Sequence, residues 1–160
     1  MSDKHSISVT FSFSSPELEF KLKNYLSRQS KTEIFVACLG SISGEGKNGI
    51  YYEICQFLPF PNLSQTPQIT VIPPENWEQI LEETLKLEGL RFLGFIHSHP
   101  GEISQRSKAD TSYSLFLSSK HGSILMGIIG KGMSLRMYQV TENRFILING
   151  TSKYFRIKTK

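Results

Sequence analysis

Residues 90–96 (LRFLGFI) form an apolar run of strand length that leads directly into His97-Ser98-His99-Pro100. A run of this kind, apolar on both sides of the pleat, reads as a strand buried on both faces. The rest of the chain must therefore cover it. Pro100 lacks the N–H needed to continue the ladder, so the strand stops there. Residues 34–39 (IFVACL) form a second such run, ending at Gly40. A turn over 43–49 (SGEGKNG) then leads to a partner strand over 50–58, completing a hairpin.

The remaining elements follow from periodicity and caps. Residues 7–13 (ISVTFSF) alternate like a half-buried strand. Leu18, Leu22, Tyr25 and Leu26 recur at helical spacing, so a first helix is predicted over 16–28. Pro16 opens it, and Ser14 with Glu17 fits a capping box. Trp77, Ile80, Leu81, Thr84 and Leu85 predict a second helix over 75–88, stopped near Gly89. Ala109, Tyr113, Phe116 and Leu117 predict a third, with Ser107 as a possible N-cap. Residues 123–129, 133–140 and 144–148 read as closing antiparallel strands. Between 59 and 74 lie five of the seven prolines. That stretch reads as a long ordered loop with one extended piece over 68–72.

Strands interleaved with helices give an α/β (α+β) class, and 160 residues without a linker suggest one domain over 1–160. Hydrophobic residues at 39% and charged residues at 20% suit an ordinary globular chain. No apolar run reaches transmembrane length, and no signal-type apolar segment opens the chain, so a cytoplasmic protein without membrane partners is expected. The net charge is +4. Its cations are spread out except in the terminal KYFRIKTK, which reads as a solvated tail. No nucleic-acid module accompanies them, so no nucleic-acid partner is expected. Cys38 and Cys55 sit in apolar runs and read as buried thiols, not a disulfide.

His97 and His99 stand two apart at a strand end, which points both side chains to one side. Their Cα atoms are then roughly 6–7 Å apart at about 3.3 Å of rise per residue. Imidazoles at that separation can converge on one ion. Asp110 falls in the first turn of the third helix, where the helix dipole favours a carboxylate. Two neutral histidines and one carboxylate leave net positive charge and an open position on Zn²⁺, as a catalytic site requires. On spacing alone, ordinary strand histidines and a Ser107/Asp110 helix cap remain open as readings.

The full pattern is His97-Ser98-His99-Pro100, six residues, then Ser107-Lys108-Ala109-Asp110. It resembles the JAMM motif of the JAB/MPN family of zinc metalloproteases. The stretches 53–64 (EICQFLPFPNLS), 88–100 (EGLRFLGFIHSHP) and 124–130 (ILMGIIG) are similar to the corresponding family segments. The resemblance covers residues 8–140. It implies an MPN/JAB-like domain, a mixed curved β-sheet flanked by about three helices. It also implies one zinc per chain held by His97, His99 and Asp110. Ser107 would stabilise the tetrahedral intermediate. Glu33, seven residues before Gly40, would act as general base. Val36 and Arg106 depart from the family pattern, where glycine and proline are frequent. Glu45, Glu53 and Glu102 are lesser candidates for the base.

The implied activity is that of a deubiquitinase-like isopeptidase, cutting after the C-terminal glycine of a ubiquitin-like modifier. The resemblance is to compact bacterial members that accompany E1-like and E2-like enzymes, including those of antiphage defence. The loop over 59–74 would be where an extended modifier tail pairs by strand addition. A non-catalytic MPN scaffold and a protein processing a sulfur carrier are the alternatives.

Overall fold

The computed structural model describes residues 8–29, 32–45, 49–63, 73–99 and 108–160, the last span with side chains from Thr111 onward. Eight strands and three α-helices follow one another among the described residues. They are β1 (Ser8–Phe13), α1 (Pro16–Arg28), β2 (Phe35–Ser43), β3 (Gly49–Phe60), α2 (Trp77–Glu88) and β4 (Arg91–Ser98), followed by α3 (Lys108–His121), β5 (Ile124–Gly130), β6 (Ser134–Thr141), β7 (Arg144–Thr151) and β8 (Arg156–Ile157).

The sheet runs β5-β4-β2-β3-β1-β7-β6, and β6 pairs back onto β5. Seven strands therefore close into a mixed barrel, with β8 added along β6. This corrects the expected fold, a mixed curved sheet of an MPN/JAB-like domain flanked by about three helices, because the sheet closes on itself. The ring closes because β1 inserts between two strands, parallel to β3 over six residue pairs and to β7 over three. Gly150 makes that seam possible, since a Cβ there would lie 2.3 Å from the Phe11 ring. Closure leaves no long unpaired edge in the ring.

Two apolar clusters follow from it. Phe11, Val36, Ile54, Leu93, Leu125, Met137 and Ile148 belong to one cluster and come from all seven barrel strands, so this is the barrel interior. Leu22 and Leu26 of α1 join it. A second cluster lies on the outside of β2, β4, β5 and β6, where Trp77 and Leu81 of α2 and Leu117 of α3 cover Phe35, Phe95 and Met126. Burying a side chain of this size is worth roughly 1.5–3 kcal/mol. Both faces of β4 are thus covered, which is why its sequence reads as one apolar run.

The helices start and stop for local reasons. Pro16 stands at the first turn of α1, but the capping side chain is Ser15, which accepts from the Leu18 N–H at 3.2 Å, not the expected Ser14. Gly89 adopts a left-handed conformation and ends α2. The C-terminal segment is not a free solvated tail. Phe155 is buried, Arg156 and Ile157 pair with β6, and the buried Glu19 carboxylate accepts from the backbone N–H groups of Lys153 and Tyr154. No described helix is long and apolar enough to cross a membrane. The expected extended piece over 68–72 lies outside the described residues.

Candidate metal centre

The candidate site is built on the end of β4, a strand flanked on both sides. Against β2 it runs antiparallel, with Phe35 opposite His97 and Val36 opposite Ile96. Against β5 it runs parallel, with His97 beside Ile128. The His99 N–H then donates to the Ile129 carbonyl at 2.9 Å. Backbone pairing on both sides holds the two histidines inside the protein, with His97 at 1% and His99 at 8% exposure.

Which way they point is set by Gly94. Across from β2, Cys38 pairs with Gly94 and Leu39 with Phe92, so Leu93 and Gly94 together form a bulge. Leu93 and Ile96, three apart, both face the barrel interior. Without the bulge, strict alternation would have put Phe95 and His97 inside with Leu93. Gly94 has a φ of +146°, and a Cβ there would lie 1.9 Å from the Leu125 carbonyl oxygen. Only glycine fits both the dihedral and the approach.

The two imidazole centroids stand 5.0 Å apart with their planes at 64°. A zinc–nitrogen bond of about 2.0–2.1 Å puts each ring centroid about 3.2 Å from a shared ion, and a tetrahedral angle then separates the centroids by about 5.2 Å. The observed spacing therefore suits two ligands of one ion. Phe95 stacks on His97 at 5.7 Å between centroids and limits where that ring can go.

Glu33 joins the two histidines through the backbone. The Ile34 N–H donates to the Ser98 hydroxyl at 3.0 Å. The β2–β4 ladder ends at Phe35 and His97, and Glu33 lies two residues before β2, just as His99 lies one residue past β4. Glu33 is 6% exposed, and its carbonyl accepts from the Asn62 side-chain amide at 2.9 Å. Ser98 and Asn62 are supports that the sequence reading did not single out. Ser98 sits between two more conspicuous residues, and Asn62 sits in a stretch known only for its prolines.

Asp110 is the third residue of α3, one turn before Tyr113. The Tyr113 ring meets Phe35 and Phe95 with centroids 6.2 Å and 5.8 Å away. The first turn of α3 therefore starts beside the end of β4. The Asp110 side chain lies outside the described atoms, as does all of Ser107. Among the described residues, no three His, Cys, Asp or Glu side chains gather closely enough to hold an ion. The described part of the candidate centre is thus the histidine pair, with the buried Glu33 on the segment just before β2.

The lesser carboxylates fall elsewhere. Glu45 pairs with Arg91 at 2.7 Å, at the opposite end of β4 from the histidines. Glu53 lies opposite Ser41, eight residues along β2 from Glu33. Glu102 lies outside the described residues. Cys38 is fully buried, and that burial raises its thiol far above the usual range, as expected for an inert core cysteine.

No family model matches the chain, and no curated protein matches it. Among solved structures, the chain is similar to the solution structure of protein DSY2949 from Desulfitobacterium hafniense. The TM-score is 0.67 at 15% identity, over 95% of this chain and 94% of that one. At that identity the likeness is one of fold.

Proposed function

We propose that the chain is a zinc-dependent peptidase or isopeptidase with a JAMM-like site, carried on a closed barrel. The observation that carries this reading is the pair of buried imidazoles, 5.0 Å apart, at the start of the H-x-H-P…S-x-x-D pattern. Buried histidines at that spacing, with a buried glutamate just before the neighbouring strand and a helix N-terminus close by, have the donor chemistry of a three-ligand site. His97, His99 and Asp110 would hold the ion. A bound zinc ion would supply Lewis acidity for the scissile carbonyl and the attacking water.

The other roles belong to the chain's own groups. Glu33 accepts a proton from the attacking water and delivers it to the leaving amine. Its burial shields it from bulk water, and the Ile34–Ser98 hydrogen bond fixes its place beside His99. Ser107 donates a hydrogen bond to the oxyanion. The substrate class proposed is the amide bond after the C-terminal glycine of a ubiquitin-like modifier, in a cytoplasmic bacterial pathway with E1-like and E2-like enzymes. This part rests on the motif resemblance alone.

The test is to load the purified protein with zinc and offer it ubiquitin-like modifiers bearing C-terminal extensions, with and without chelator. Mass spectrometry then reads the cut site. A chelator-sensitive cut directly after the glycine supports the reading. Failure to bind zinc, or cleavage that survives loss of His97, overturns it. Zinc binding without cleavage of any modifier favours a scaffold or a different substrate.

A further inference from the structure

Three depressions lie next to one another along α1. The first, about 600 Å³ between α1 and β3, is lined by Lys21, Tyr25, Arg28, Phe57 and Pro59 among others. The second, about 490 Å³, contains Tyr25, Gln29, Thr32, Glu33 and Pro59. The third, about 480 Å³, contains Gln29, Thr32, His99 and Lys131. Tyr25 and Pro59 line both the first and the second, and Gln29 and Thr32 line both the second and the third. The depressions thus neighbour one another in a row, a channel leading from the cations of α1, past Glu33, towards His99.

The far end of this channel has a definite charge. Lys21 and Arg28 are exposed there, and no acidic residue lines that depression. Among the described residues no carboxylate pairs with either cation, whereas the neighbouring Lys23 lies over the Tyr154 ring. The walls between the cations are apolar, with Leu18, Leu22, Val36 and Phe57. Such a channel fits an extended peptide that carries negative charge.

We propose that this channel seats an extended acidic segment of the polypeptide substrate, with Lys21 and Arg28 reading its charge. From Gln29 back to Lys21 the helix rises about 12 Å. An extended chain covers that in about four residues. An acidic side chain at Lys21 therefore lies more than about four residues from the scissile amide, since the third depression still separates Gln29 from His99. That distance rests on the hydrolase reading, but the binding of acidic peptide does not.

The test separates the two. Isotopically labelled, metal-free protein is titrated by NMR with an acetylated Gly-Ser octapeptide bearing two central glutamates, and with a twin bearing two lysines. The glutamate peptide should shift amide signals of α1 and of residues 55–57. It should bind at least about five-fold more tightly than its twin, as expected for partly exposed ion pairs, and weaken as salt rises. The exposed double variant K21E/R28E should keep the folded spectrum and reverse the preference. Equal affinity for the two peptides, shifts confined to another face, or no shift at millimolar peptide would overturn the proposal. Acidic-peptide binding by a protein that, loaded with zinc, cleaves no modifier would leave the channel standing and remove the modifier-cleaving reading.

Discussion

The Ile34 N–H donates to the Ser98 hydroxyl across 3.0 Å, and this bond adds to the β2–β4 ladder a link between the segment leading into β2, which carries Glu33, and the residue between the two histidines. Ser98 is 6% exposed, so the bond is shielded from water. Ser98→Ala leaves a buried N–H without this acceptor, at a cost of about 1–2 kcal/mol. Thermal denaturation should show a lowered Tm. If Glu33 is the base, kcat should also fall while zinc content stays at the wild-type level. Ser98→Thr, which keeps the hydroxyl, should recover most of kcat. Equal kcat in the alanine variant and wild type would show that the bond only stabilises.

The ligand and base roles make opposite predictions for metal content. His99→Ala and Asp110→Asn should each reduce zinc, measured by elemental analysis, from about one per chain towards zero. Glu33→Gln keeps the side chain's shape but cannot take up a proton. It should retain zinc and lose about 10²–10⁴-fold in kcat. A Glu33→Gln protein with full activity would remove Glu33 from the mechanism.

The extent of all this that the sequence discloses varies by element. The helix over 16–28 has the bounds of α1, because Pro16 and the Leu18/Leu22/Leu26 spacing are local signals. Gly89 likewise marks the end of α2 through its own φ. The two histidines were legible because a strand end and a two-residue spacing suffice to bring them together. Barrel closure was not legible. It depends on β1 pairing with β7 across about 140 positions, with Phe11 over Gly150, and no local pattern announces such a contact. The buried C-terminal segment is hidden for the same reason, since Glu19 holds residues more than 130 positions away. The bulge in β4 has no signature in the sequence, because both faces of the strand are apolar and the slip in alternation leaves no trace in hydropathy.

Tyr113 carries a pH dependence independent of the metal. Burial pushes its phenol up to about 12, Glu78 adds to the rise, and a hydrogen bond with Trp77 opposes it. The folded state therefore holds the neutral phenol more firmly than the unfolded chain, whose tyrosines titrate near 10. The resulting stabilisation is complete below about pH 10 and disappears as pH rises towards 12. Urea midpoints should fall over that interval. Tyr113→Phe should make the fall shallower without abolishing it, because burial also raises Tyr25 and Tyr52. An unchanged slope in that variant would mean Tyr113 ionises in the folded protein as freely as in the unfolded one.

Gly94 offers the sharpest test of how the fold builds the site, because it lies on the strand that leads into the histidines, three residues before His97. The bulge at Leu93 and Gly94 sets the phase of β4, so Phe95 and His97 face outward towards α3. Gly94→Ala forces a side chain onto a φ of +146° and places its Cβ against the Leu125 carbonyl. The protein must either strain the β4–β5 pairing or lose the bulge, and losing it would turn the histidines by one pleat. Either route costs about 1–3 kcal/mol or more. Zinc affinity should fall further than stability alone requires. The comparison is with Gly150→Ala, which crowds Phe11 at the distant β1–β7 seam. That variant should lower the Tm comparably while leaving zinc stoichiometry near one. Equal zinc retention in the two variants would mean that β4 keeps its phase without the glycine.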